Sequence, residues 1–160
     1  MIKFCGHYIT CQEVPNEVSL TFSITNCPHH CPGCHSSWLQ SDIGDQLTES
    51  DLDYYIKKYL PGITCICFMG TGGDPEALAK LVDRVELTYG LSTCVYTGDD
   101  DTAFLLYCAD HGHCSPEYFK YGPYDERAGG LDHPETNQHM LKLTGKGYED
   151  ITDWFWRKKE

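Results

Sequence analysis

The sequence predicts a single α/β domain in which parallel strands alternate with crossover helices, either as an open sheet or as a piece of a (β/α) barrel. Three observations carry this expectation. The chain has 160 residues, enough for one core and short for two. Its apolar pattern switches repeatedly between a period of two and a period of about 3.6, in the order β-α-β-α-β-α. Glycine and proline punctuate the switches, as at Pro61-Gly62 and Gly90.

Residues 18–25 alternate strictly, with Val18, Leu20, Phe22 and Ile24 on one side and Ser19, Thr21, Ser23 and Thr25 on the other. That is the pattern of a half-buried strand. Thr48 with Asp51 three residues later is an N-cap signature, and Leu52, Tyr55, Ile56, Tyr59 and Leu60 follow at helical spacing until Pro61-Gly62 stops them. Residues 64–69 are short, apolar and flanked by glycines, as a buried strand would be, and lead into Gly70-Thr-Gly-Gly-Asp74. Asp74 before Pro75 places a capping side chain ahead of a proline at the first helical position. Leu78, Leu81, Val82 and Val85 continue that second helix to about Tyr89, where Gly90 ends it. Residues 92–97 read as a third strand, followed by Gly98 and a third helix over about 100–108. Beyond Ser115 the pattern weakens. Residues 118–121 and 137–143 read as short strands, and 122–137 carry Gly, Pro and Asp at loop-like density. The tail, 151–160, mixes Trp154, Phe155 and Trp156 with Arg157, Lys158 and Lys159, a composition suited to packing or to reaching a partner.

Charge and cysteine content bound the function. Twelve basic against 24 acidic residues give a formal charge of −12, which repels a phosphate backbone and leaves no basic stripe for nucleic acid. No apolar run approaches the roughly 20 residues of a membrane span, and Met1-Ile2-Lys3-Phe4-Cys5 lacks a secretory hydrophobic region. A cytoplasmic protein without a membrane or nucleic-acid partner is expected. Ten cysteines in such a chain point to metal or redox use rather than to a disulfide framework.

The densest chemistry lies in Cys27-Pro-His-His-Cys31-Pro-Gly-Cys34, directly after the first predicted strand. Three thiolates on one short loop suit a [4Fe-4S] cluster, and with no obvious local fourth cysteine one iron is left open. Pro28, Pro32 and Gly33 stiffen and open the loop so that the sulfurs converge. The competing reading is a structural zinc site completed by His29, His30 or His35. Zinc sites usually draw paired ligands from two knuckles, however, and this trio sits on one loop. In parallel α/β folds the site lies at the C-terminal ends of the strands, and Cys27 to Cys34, Gly70 to Asp74 and Tyr96-Thr97-Gly98 all fall at that edge.

The cysteine trio with this spacing resembles the signature of the radical S-adenosylmethionine (SAM) superfamily. A glycine pair with an acid after the second strand, here Gly72-Gly73-Asp74, is its second mark. The resemblance is closest to the activating proteins of anaerobic, class III ribonucleoside-triphosphate reductases, and runs from residue 17 to 143, leaving 144–160 as a tail of the same single domain. It is carried by Asn26 to Ser36, Phe68 to Pro75, Tyr96-Thr97-Gly98, Tyr121-Gly-Pro-Tyr124, Gly129-Gly-Leu-Asp132 and Thr136-Asn-Gln138.

The resemblance implies an incomplete (β/α) barrel with one side open, because the strands are too few for eight. It implies a [4Fe-4S] cluster held by Cys27, Cys31 and Cys34, and SAM bound near Gly33, Cys34, His35, Gly72, Gly73 and Asp74. The implied reaction is reductive SAM cleavage to a 5'-deoxyadenosyl radical, which takes hydrogen from a glycine of the reductase large subunit. The electron would come from a flavodoxin-like or ferredoxin-like donor. Many relatives carry an aromatic residue where this chain has Gly33. Asp74 is open to two roles, helix cap or ligand of an amino group, and residues 121–138 to two others, a wall for substrate access or a plain surface loop. The alternatives are an activase of another glycyl-radical enzyme, of the formate-lyase type, and a non-catalytic zinc-binding module. Of the other cysteines, Cys65 and Cys67 read as small core residues, while Cys5, Cys11 and Cys94 show no ligand spacing. Cys108, His111, His113 and Cys114 offer a second, zinc-type cluster, and Cys5 with His7 a weaker one.

Overall fold

The structure is a computed structural model that describes residues 1–156; Arg157, Lys158 and Lys159 of the tail lie outside the described residues. Eight strands form one mixed sheet: β1 (Lys3–Thr10), β2 (Ser19–Ile24), β3 (Asp45–Gln46), β4 (Cys65–Met69), β5 (Ser92–Tyr96), β6 (Tyr118–Tyr121), β7 (His139–Thr144) and β8 (Gly147–Asp150). Their spatial order is β3-β1-β2-β4-β5-β6-β7-β8. Among the described residues three α-helices accompany them: α1 (Glu49–Tyr59), α2 (Pro75–Asp83) and α3 (Ala103–Asp110).

The expected incomplete barrel of parallel strands with crossover helices is therefore corrected to an open, mixed sheet. Only β2, β4, β5 and β6 pair in parallel. On either side, β1, β3, β7 and β8 pair antiparallel. Connection length explains the difference, because a parallel step needs a long crossover whereas an antiparallel one closes through a short turn. β7 and β8 are joined through Gly145-Lys146, and β1 reaches β2 through residues 11–18 without a helix. No helix lies between β6 and β7, so the chain returns antiparallel there as well.

The helices form where capping and apolar spacing call for them. Thr48 accepts from the Asp51 N–H while the Asp51 carboxylate accepts from the Thr48 N–H, a reciprocal cap that starts α1. Asp74 Oδ1 accepts from the Ala77 N–H and Pro75 takes the first helical position of α2. That helix continues as a π-helical turn over Arg84–Tyr89 and ends at Gly90, φ 63°. The bidentate Arg84–Asp53 pair, joined by the Tyr89 hydroxyl, ties this turn to α1. α3 begins at Ala103, later than the acidic run suggested.

Both faces of the central sheet are covered. Leu20, Phe22, Ile24, Ile66, Phe68 and Val95 pack under the helices with Leu52, Ile56, Leu78 and Val82. Burying each such side chain is worth roughly 1.5–3 kcal/mol. The opposite face holds Cys65, Cys67, Cys94, Tyr118 and Met140, closed by Val14 and Ile151 with Trp154 and Phe155 packed against them. Consequently β2 is not half-buried as expected: Ser19 and Thr21 are as inaccessible as Leu20. Cys65 and Cys67 are core residues, and Cys94 joins them.

Candidate functional site

The C-terminal ends of the four parallel strands meet at one edge, and the cysteine loop lies across it. The chain leaves β2 through Asn26, whose φ of 60° is a left-handed bend that asparagine tolerates. The Cys27 N–H then bonds to the Leu39 carbonyl at 2.9 Å, closing the base of the loop onto the turn Ser37–Gln40. Within the loop the Cys34 N–H reaches the Cys31 carbonyl at 3.2 Å, and the Ser36 N–H points at Cys34 Sγ at 3.4 Å.

Two contacts dock this loop on the strand ends. The His29 ring lies on Gly98, where an added Cβ would come within 2.8 Å of the ring, and its Nε2 is 3.0 Å from Asp99 Oδ1. The two atoms are close but not aligned as a hydrogen bond, which leaves the buried His29 Nε2 without a hydrogen-bond partner among the described residues. His35 meets Tyr124 edge to face, with ring centroids 5.1 Å apart and the Tyr124 hydroxyl 3.2 Å from Nε2. The loop 121–138 is itself fastened by its Asn-Gln element. Asn137 donates to the Pro123 carbonyl at 3.0 Å, and Gln138 to the Gly122 carbonyl at 3.5 Å.

Cys27, Cys31 and Cys34 line a single cavity of about 200 Å³ together with Met69, Gly70, Tyr96, Thr97, Gly98 and Lys120. Burial pushes the Cys27 thiol up, and the neighbouring Cys31 and Cys34 sulfurs push it further. This donor set fits an iron–sulfur cluster: three soft sulfurs, a backbone N–H on one of them, and a nearby cation. His29 and His35 line the same cavity, His29 beside Asp99 and His35 against Tyr124, while His30 is bonded to Gln40. Among the described residues, no group of three or more His, Cys, Asp or Glu is arranged to hold a single metal ion.

A family model described as a 4Fe-4S single cluster domain matches residues 17–105, more than half of the chain. The chain belongs to the 4Fe-4S single cluster domain family. No curated protein and no solved structure matches it. The matched segment of this single-cluster domain runs from the approach to β2 into α3 and contains the whole cysteine loop. β6 and the loop that follows it, which complete the site, lie beyond that segment.

Not every expected site residue falls on the single-cluster domain's cavity. Cys34 and His35 line it, whereas Gly33, Gly72, Gly73 and Asp74 do not. Gly33, at φ 74°, lies beneath the Glu126 side chain. Gly73 borders a separate groove with Pro28, Thr71 and Asp99. Asp74 caps α2 with Oδ1 and pairs through Oδ2 with the Met1 amino group. The second zinc-type cluster is not assembled among the described residues: His113 Nδ1 is bound to Asp83 at 2.7 Å and His111 stacks on Tyr107.

Sequence reasoning missed Lys120. It is 8% exposed on β6, and its Nζ donates to the Thr97 carbonyl at 3.2 Å and the Gly122 carbonyl at 2.8 Å. Burial pulls its pKa down to about 8, while the three loop cysteines act to raise it. Its signal was one charge inside the otherwise aromatic run Tyr118-Phe119-Lys120-Tyr121. A second cavity of about 790 Å³ adjoins the first, sharing His35, Tyr96, Tyr124 and Gln138, and is walled by residues 126–135. The loop beyond β6 is thus a wall of the site as well as a surface segment.

Proposed function

We propose that this iron–sulfur domain is a radical SAM enzyme that activates an anaerobic, class III ribonucleoside-triphosphate reductase by generating a glycyl radical on its large subunit. The observation that carries the reading is the cysteine cavity: among the described residues three thiols and no fourth cysteine line it, and a larger cavity adjoins it. A cluster held by Cys27, Cys31 and Cys34 would supply the electron for reductive cleavage of SAM, the chemistry by which hydrogen would be taken from a glycine.

The chain's own residues hold and shape this site. Cys27, Cys31 and Cys34 bind the cluster, and the His29–Asp99 and His35–Tyr124 contacts fix the loop that carries them. Met69, Gly70 and the Tyr96-Thr97-Gly98 backbone wall the space in which SAM lies. Gly72 and Gly73 lie outside this space, and Asp74 serves the helix. The 790 Å³ cavity receives the partner's glycine-bearing segment, and the open sheet leaves that side accessible to a protein. A flavodoxin-like or ferredoxin-like protein delivers the electron. Among the described residues no helix is long and apolar enough to cross a membrane.

The test is anaerobic incubation of the reconstituted protein with SAM, reductant and candidate glycyl-radical enzymes, followed by electron paramagnetic resonance (EPR). A glycyl-radical doublet on a class III reductase supports the reading. A doublet on a formate-lyase-type enzyme alone, or none with a competent reductant, rejects it. Cys31→Ser should abolish 5'-deoxyadenosine release while leaving the fold intact.

A further inference from the structure

A lysine buried to this degree normally has an acidic partner, because an uncompensated charge in a low-dielectric interior is costly. Lys120 has none. Its two hydrogen bonds go to neutral carbonyls, Thr97 O and Gly122 O, and among the described residues it makes no salt bridge with a carboxylate. An ammonium has three protons to donate, two of which these carbonyls take, and the Tyr96 ring lies 5.9 Å from Nζ. Among the described residues that line the cysteine cavity, Lys120 is the only Lys or Arg, and none is Asp or Glu. The chain as a whole carries −12, which makes a lone buried cation at this point the more unusual.

We propose that Lys120 is the built-in counter-ion of the iron–sulfur cluster and that its charge raises the cluster's reduction potential. A [4Fe-4S]2+ core on three thiolates has a net charge of −1, and one added electron makes it −2. A fixed cation stabilises the second state more than the first. Cluster potentials follow net charge, hydrogen bonds to sulfur and exposure. The two carbonyls act as a clamp: Thr97 O follows β5 and Gly122 O follows β6, so the ammonium is held at the cavity wall by the sheet itself. Lys120 is thereby a positioning residue whose effect on the cluster is electrostatic.

The inference rests on Cys27, Cys31 and Cys34 holding the cluster, but not on SAM chemistry, and it is tested without SAM. The parent chain, Lys120→Gln, Lys120→Met and Lys120→Arg are reconstituted anaerobically and titrated with dithionite, with the reduced cluster followed by EPR. The Gln and Met variants should show at least a tenfold smaller reduction constant, equal to about 59 mV for a one-electron couple. The Arg variant, which keeps the charge, should stay within about threefold of the parent. Parent-like potentials in the Gln and Met variants would overturn the proposal. The unloaded Gln and Met variants should fold with parent-like circular dichroism. Collapse of both would make Lys120 a strut between Thr97 and Gly122 and would equally overturn it. Failure of SAM cleavage with the shift in potential intact would instead count against the activase reading alone.

Discussion

Gly98→Ala addresses the docking of the cysteine loop most directly, because the added methyl points into the His29 ring. An alanine Cβ would stand 2.8 Å from Cδ2, 2.9 Å from Cγ and 3.2 Å from Cβ of His29. Carbon atoms pack at about 3.5–4.0 Å, so the ring must withdraw by roughly 0.7–1 Å. Gly98 lies two residues beyond β5, whose last residue Tyr96 is paired on both sides, and the intervening Thr97 N–H is bonded to the Lys120 carbonyl, so the backbone there does not yield easily. Withdrawal separates Nε2 from Asp99 and drags the loop between Cys27 and Cys31. Overpacking of this kind costs about 1–3 kcal/mol. At about 2 kcal/mol the unloaded protein should lose about 4–8 °C in Tm. Strain carried equally by both states leaves cluster affinity unchanged, whereas about 2 kcal/mol more borne by the loaded state alone, where the cluster holds the loop in place, weakens binding about 30-fold. Differential scanning fluorimetry and iron per chain after anaerobic reconstitution read the two effects. Adding His29→Ala to Gly98→Ala removes the clash and should recover most of the lost Tm. Unchanged Tm and iron content in Gly98→Ala, or no recovery in the double variant, would refute the docking argument.

Two further outcomes test the scaffold. Thr48→Ala removes the reciprocal cap with Asp51 and should cost about 1 kcal/mol, or about 2–4 °C in Tm, with the cluster unaffected. Hydrogen bonds from Arg84 hold the Asp53 carboxyl below the usual carboxylate range. A carboxyl depressed in the native state gives its full stabilisation above the unfolded value of about 3.9, and loses it as pH falls through the native value. Asp53→Asn should therefore be less stable near neutrality yet lose less on acidification below about pH 4 than the parent does. Urea midpoints from pH 2 to 6 measure this, and parallel curves for the two proteins would contradict the assignment.

What was legible in the sequence was whatever local chemistry decides. Thr48 with Asp51, Asp74 with Pro75, and Gly90 each mark a helix end through a hydrogen bond or a backbone conformation made within a few residues, and the structure has all three. The alternation of residues 18–25 located β2 for the same reason. β1 was not legible because a register shift between Phe4 and His7 breaks its period. β3 and β8 are too short and too exposed to show one. The barrel expectation failed because pairing direction after β6 depends on whether a helix intervenes, and the loop 121–138 has no helical pattern to reveal that it returns antiparallel. At the site, cysteine spacing marked the loop that the structure lays across the strand ends, since three thiols on one loop are a local fact. Lys120 was hidden because its partners, Thr97 and Gly122, are backbone carbonyls that leave no mark on the sequence. Asp74 was ambiguous because one side chain serves a helix cap or a ligand equally well, and only its contacts distinguish the two.

The most direct measurement of the central claim is the EPR spectrum of the reconstituted, dithionite-reduced protein before and after SAM is added, with 5'-deoxyadenosine quantified in the same sample. A cubane held by Cys27, Cys31 and Cys34 alone predicts a [4Fe-4S]+ signal that changes shape on adding SAM, with 5'-deoxyadenosine released. A signal indifferent to SAM with no nucleoside formed, or a colourless protein carrying zinc on those thiols, would contradict it.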